Sequence, residues 1–193
     1  MTIHHYTYRN RYSARLLDDT DIHAFQAFKI EMLREALRQS KLDDKGIERI
    51  MQDTPAVEAP INSRQKIIFG LFNDDAMVGE IDITFSPKAT LTGLHILPSH
   101  TGKRLANMLY EAGIIYLLEQ TNLPFIDGNI EAAKVNSRRS AEWNGLVRQD
   151  VKRHFGEQSS SLVYRLDLDE LRDFRQKQLE TGSIWAECSI EQA

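Results

Sequence analysis

One cysteine, Cys188, in 193 residues excludes an internal disulfide and a thiol-based zinc site. Proline is sparse as well: the five residues are scattered, and no linker, low-complexity stretch or internal repeat accompanies them, which argues for one domain followed by a tail. Long apolar runs are missing. The longest, around Gly113 to Leu118, falls far short of the roughly 20 residues that a bilayer crossing needs, and MTIHHYTYRN lacks the apolar core of a secretory signal. An excess of positive charge is missing too. With 24 Lys+Arg against 28 Asp+Glu and a formal charge of -4, the chain has no overall field to attract nucleic acid non-specifically. The expectation is a soluble cytoplasmic protein with neither a membrane nor a nucleic acid as partner.

What is present is enough apolar material for a core, at 41% hydrophobic and 27% charged residues. Tyr12 to Leu17 reads as a short strand, and Thr20 or Asp21 can cap the helix in which Ile22, Phe25, Phe28, Met32 and Leu33 recur at helical spacing. Asp43 to Gln52 reads as a second helix, followed by a surface loop from Thr54 to Gln65. IIFGLF and MVGEIDITF, joined by NDDA, form a hairpin, and SPKA turns the chain into TLTGLHIL. The polar loop SHTGK opens the strongest helical pattern, Leu105 to Glu119. FIDGNIEA then lies parallel to TLTGLHIL, because a helix separates the two. SRRSAEWNG is a short helix stopped at Gly145, and SLVYRLDL is the last strand. The fold class is α/β: a mixed, mostly antiparallel sheet flanked by helices. Residues 1–168 form the domain, and 169–193 a charged helical tail with Leu168, Leu171, Phe174 and Leu179 as its apolar positions.

The loop PSHTGKRLANML places Gly102 and several backbone amides at a helix start, where N–H groups and the helix dipole favour an anion such as a pyrophosphate. It lacks the Ser or Thr of a magnesium-holding phosphate loop, since Arg104 follows Lys103, and it lacks the further glycines of a dinucleotide fingerprint. A tight turn at Gly102 is the plain alternative.

Counting from the Pro87–Lys88 bond across the turn pairs Glu80 with His95, Asp82 with Gly93 and Thr84 with Leu91. Glu80, Asp82 and Thr84 then share a polar face, which for Asp82 and Thr84 reads as solvated. A histidine beside a carboxylate on a central strand is a proton relay in outline. His4 and His5 read as a frayed terminus, His100 as a loop residue in solvent, and Trp143 and Trp185 as packing residues. Lys134, Arg138, Arg139, Arg148, Lys152 and Arg153 form a basic stretch that is either a solvated face or an attractor for a phosphate or acidic substrate.

Taken in order, ARLLDDTDIHAFQAFKIEMLREAL, IIFGLFNDDAMVGEIDI, KATLTGLHILPSHTGKRLANMLYEAGI, SRRSAEWNGL and VYRLDL resemble the GNAT-type N-acetyltransferase family over about residues 12 to 168. The resemblance implies an acyl-CoA N-acyltransferase fold, with the strands TLTGLHIL and FIDGNIEA splayed to admit pantetheine. It implies transfer of an acetyl group from acetyl-CoA, as co-substrate and without a metal, to a small-molecule or peptide amine by direct attack. It also suggests a homodimer. In its terms Ile96 and Leu97 hold the pantetheine, and Gly102, Lys103, Arg104, Leu105, Ala106 and Asn107 grip the pyrophosphate. The base that such a transfer needs is sought in the hairpin register, which offers Glu80, with His95 or through water, to take the proton of the amine.

Three departures accompany the resemblance. Of the family's loop pattern, which falls on Thr101, Arg104 and Ala106, only Ala106 matches. Ala141 stands where many relatives carry a tyrosine that protonates the departing thiolate, and Lys134 stands where they have an asparagine that Asn136 can replace. A thiol of pKa about 8.5 leaves at pH 7 against only about 2 kcal/mol, whereas removing the proton of an ammonium with pKa about 10.4 costs about 5 kcal/mol. The base is the more needed group. Two other readings stay open: an acyl-CoA-binding module without transferase activity, and an interaction domain on the same fold.

Overall fold

The structure, a computed structural model, describes residues 5–8, 11–40, 42–53, 63, 65–85, 89–155 and 159–181. Strand β1 (His5–Tyr8) and strand β2 (Tyr12–Leu16) lead through a 3-10 turn, Asp19–Asp21, into helices α1 (Ile22–Gln39) and α2 (Asp44–Asp53). Strands β3 (Lys66–Asn73), β4 (Ala76–Phe85) and β5 (Ala89–Ile96) follow. A second 3-10 turn, Pro98–His100, then precedes helix α3 (Leu105–Gln120). The chain continues as β6 (Phe125–Glu131), α4 (Val135–Trp143), β7 (Val147–Phe155), β8 (Ser159–Asp167) and α5 (Leu168–Thr181). Among the described residues eight strands share one sheet in the order β1-β2-β3-β4-β5-β6-β8-β7, antiparallel throughout except between β5 and β6.

Alternation decides which residues go where. Ile67, Phe69 and Leu71 of β3 and Ile81 and Ile83 of β4 bury on the face covered by α3, against Leu105, Met108, Leu109 and Leu117. The opposite side of β3 offers Ile68 and Phe72 to Phe25 and Phe28 of α1, with Leu17 and Met77 completing that smaller core. Residues 67–72 are therefore buried on both faces, and the strand reads as a continuous apolar run.

Several expectations change. His5 is not frayed: it pairs with Arg15 as part of β1. Residues 147–155, read as part of a basic stretch, form the edge strand β7, where one unpaired side tolerates charge. Asp21 holds the N-cap position of α1, as expected, but makes no side-chain cap bond there, and the capping box belongs to the 3-10 turn before it, with Asp18 as its cap. Its side chain accepts from the Thr20 amide at 2.8 Å while Asp21 accepts from the Asp18 amide at 3.0 Å. Trp143 is 74% exposed and packs no core. In the tail, Leu168 is buried and Leu171 packs against the main core, whereas Phe174 is exposed. The turn at Pro87 and Lys88, most of the loop from Thr54 to Gln65, His4, Trp185, Cys188 and the side chain of Leu179 lie outside the described residues.

Candidate functional site

Strands β5 and β6 pair only where the start of β5 meets the middle of β6: Thr90 pairs with Asp127 and Leu91 with Gly128. Beyond that point β5 stays zipped to β4, as far as Gly79 opposite Ile96 and the Leu97 amide bonded to the Val78 carbonyl at 2.9 Å. β6 stays zipped to β8 along its whole length. The sheet thus parts into two halves at its centre. The register offers a cause. Asp82 faces Gly93 but Ile83 faces Leu91, so Thr92 is an extra residue in β5, and such a bulge bends and twists the strand that carries it. The same bulge puts Thr90, not Leu91, opposite Thr84.

The loop after β5 reaches α3 through two residues with positive φ, Gly102 at 76° and Arg104 at 59°. The resulting turn leaves the amides of Gly102, Lys103, Arg104, Leu105 and Ala106 without an acceptor among the described residues, at the positive end of a 16-residue helix. This is the chemistry that a diphosphate needs. Arg104 keeps a left-handed backbone that glycine adopts without strain, at about 1–2 kcal/mol for a residue with a Cβ. Its guanidinium lies 5.9 Å from the Trp143 ring centroid. Arg104→Gly is expected to raise stability by about 1 kcal/mol in denaturant melts, and an unchanged or lower midpoint would show that the stacked guanidinium outweighs the backbone strain.

Side chains tie the loop down on both sides. His100 Nδ1 lies 3.2 Å from the Tyr12 hydroxyl on β2, to which Lys103 Nζ also donates at 3.3 Å. Burial, with Lys103 and then Arg11 nearby, holds the His100 imidazole below its usual pKa. His100 is thus half-buried and bonded, not a solvated loop residue. Across α3, Asn107 Oδ1 accepts from Ser140 Oγ at 3.2 Å and Asn144 Nδ2 at 3.1 Å, which locks α4 against the loop. Ala141 is fully buried on α4 and brings no hydroxyl, and Asn136 is exposed on its first turn.

Glu80 sits on β4 opposite His95 of β5, as counting across the turn predicts, and only 1% of it is exposed. Its Oε1 accepts from the Lys29 ammonium of α1. Its Oε2 is buried and has no hydrogen-bond partner among the described residues. The His95 side chain is exposed and leans over Gly93, where a Cβ would come within 3.4 Å of Nε2 and within 2.9 Å of Asp82 Oδ2. A bare glycine therefore lets an imidazole and a carboxylate converge beside Glu80. Asp82, read as solvated, is in fact buried and pairs with Lys66 at 3.2 Å. At the apex of the gap a third buried carboxylate, Asp127, meets Arg165 of β8 at 2.8 Å. The sequence places Asp82 opposite Gly93 but misjudges its burial, and it misses Lys29 altogether. Lys29 lies 51 positions from its partner, and no spacing announces it.

Among the described residues no group of His, Cys, Asp and Glu could hold a metal ion, and no helix is long and apolar enough to cross a membrane.

No family model matches the sequence, and no curated protein matches it. Solved structures do match the fold. One is RimL, a ribosomal-protein α-N-acetyltransferase in complex with coenzyme A, at 12% identity and a TM-score of 0.61, with 86% of this chain and 98% of that one covered. Another is the PaiA N-acetyltransferase of Thermoplasma acidophilum, also with coenzyme A, at 16% identity and a TM-score of 0.55, covering 81% of this chain and 98% of that one. A third is a spermidine N-acetyltransferase chimera of SpeG from Vibrio cholerae and hSSAT, at 14% identity and a TM-score of 0.59, covering 84% of this chain and 99% of that one. The chain has the fold of the GNAT-type acetyltransferases.

Proposed function

We propose that this protein is an acetyl-CoA-dependent N-acetyltransferase, in which a primary amine of a small molecule or peptide attacks the thioester directly. The observation that carries the reading is Glu80: a buried carboxylate, one oxygen held by Lys29 and the other unpartnered, one strand away from a parted sheet that ends in free amides. Likeness to enzymes named for protein amines and for spermidine supports an amine as acceptor.

Acetyl-CoA supplies the acyl group when bound. The amides of Gly102 to Ala106 would take its diphosphate, with the Lys103 and Arg104 side chains adding positive charge. The edge of β5 up to Ile96 and Leu97 has backbone groups that β6 leaves unpaired, and these would bond the pantetheine amides. An N–H on that edge can also polarise the thioester carbonyl. Glu80 would take the proton of the acceptor ammonium at Oε2, and His95, exposed and next to Asp82, would return it to solvent. Ala141 offers no acid, so water would protonate the thiolate, a step that the thiol's own acidity makes tolerable. Asn136 is exposed on α4 and would reach the cofactor only from the solvent side.

Two measurements test this. Acetyl-CoA should raise the melting temperature, since a ligand at about 100 times its Kd stabilises the native state by about 2.7 kcal/mol. Thiol release from acetyl-CoA should also exceed the background with at least one class in a panel of polyamines, amino acids, aminoglycosides and N-terminal peptides. Absence of both effects would refute the reading. A thermal shift without thiol release would favour the binding module, to which Ala141 and Arg104 already lend some weight.

A further inference from the structure

We propose that Lys29 is itself an acetyl acceptor, modified at Nζ by acetyl-CoA bound in the parted sheet. This rests on Glu80 acting as the base. An acceptor must present an ammonium to Glu80, and Lys29 already does so: its Nζ donates to Oε1. The lysine lies two turns into α1, which packs over β4. Its ammonium sits 5.1 Å from the Phe25 ring centroid and 6.0 Å from that of Phe28. These rings deny it part of its hydration on one side, while its side chain remains 31% exposed.

Reach is the second element. Glu80 is opposite His95, neighbouring strands lie about 4.8 Å apart, and the free edge of β5 borders the gap. A cofactor along that edge takes the place of a neighbouring strand, about two spacings or roughly 10 Å from the axis of β4, so the four-carbon stem must swing across β5 to carry Nζ from Glu80 to the thioester. Glu80 takes one proton from the ammonium. The neutral nitrogen attacks the thioester carbon, so that the N–C bond forms and the C–S bond breaks. Nζ enters with three hydrogens and ends as an amide with one. Of the two protons lost, one leaves through Glu80 to solvent and the other is balanced by the proton that the departing thiolate takes up.

The test incubates the purified full chain with acetyl-CoA and no amine, then reads each lysine by peptide mass spectrometry. Lys29 is expected to gain an acetyl group at least about tenfold faster than the exposed Lys45, which reports uncatalysed acetylation, because base catalysis contributes factors of about 10² or more. The rate should not depend on protein concentration, as befits a reaction within one molecule. Glu80→Gln should bring Lys29 down to the rate of Lys45. Lys29→Arg keeps a cation beside Glu80, and no other lysine should then take over the fast phase. If acetyl-CoA raises the melting temperature and yet Lys29 is labelled no faster than Lys45, this proposal is overturned and the transferase reading stands. If acetyl-CoA produces neither a thermal shift nor thiol release, both fall together.

Discussion

Turnover of the Glu80→Gln variant is expected to drop by about 10²- to 10⁴-fold, the usual contribution of a positioned base, with acetyl-CoA affinity unchanged. The substitution keeps the shape of the side chain and an oxygen that Lys29 can still bond, so the fold has little reason to change. Lys29 would lose its counter-ion, but its side chain is 31% exposed and can turn to water. The proposed diphosphate site lies on backbone amides more than twenty positions further along the chain, at Gly102 to Ala106, and no side chain of β4 belongs to it. Hence kcat should fall while the Kd for acetyl-CoA, read by thermal shift or calorimetry, holds. Wild-type turnover across the pH range would remove Glu80 from the base role, and the buried carboxylate would then be a structural partner of α1.

How far the sequence discloses this site depends on which interaction places each residue. The pairing of Glu80 with His95 is legible because strand alternation and a short turn leave one register that buries Ile81 and Ile83. The count slips only past Asp82, where Thr92 bulges out, and nothing in TLTGLHI marks the bulge except the adjacent Gly93. That β5 and β6 run parallel follows from topology, since a helix lies between them, whereas their parting is expected only from the family resemblance. The depth of the parting is set by the bulge and escapes a one-dimensional reading. β1 and β7 are missed for a shared reason: as the two sheet edges they carry polar and charged residues that dilute the alternation by which central strands announce themselves. Lys29 is illegible because its meaning is wholly tertiary. On α1 it is one polar residue beside Phe28, and only the packing of that helix over β4 brings it to Glu80. Arg104 shows the converse case. The residue departs from the family pattern, yet the backbone takes the left-handed conformation that a glycine would, so the amides stay available.

The second large effect concerns the tail. Arg172 of α5 reaches back to the end of α3 and donates to the carbonyls of Leu117 at 3.3 Å, Leu118 at 3.5 Å, Thr121 at 2.7 Å and Leu123 at 2.9 Å, while Asp169 holds the same guanidinium at 2.8 Å. A helix leaves its last four carbonyls unserved, and here one side chain from another helix serves the end of α3 and the segment that follows it. Leu168 secures the junction, with its side chain buried and its amide bonded to the Pro124 carbonyl at 2.8 Å. Arg172→Ala should therefore lower stability by about 2–4 kcal/mol, the range for losing several charge-assisted bonds to half-buried acceptors. For a chain of this length the melting temperature would fall by about 10 °C. Arg172→Lys should recover little of this, because three donors on a point-like ammonium cannot span carbonyls that a planar fork spans. The loss should reach function only near the new melting temperature, since the proposed anion loop lies at the other end of α3, about 24 Å away by helix rise. An alanine variant that melts within about 1 °C of the wild type would mean that water caps α3 equally well, and that α5 is held by Leu168 and Leu171 alone.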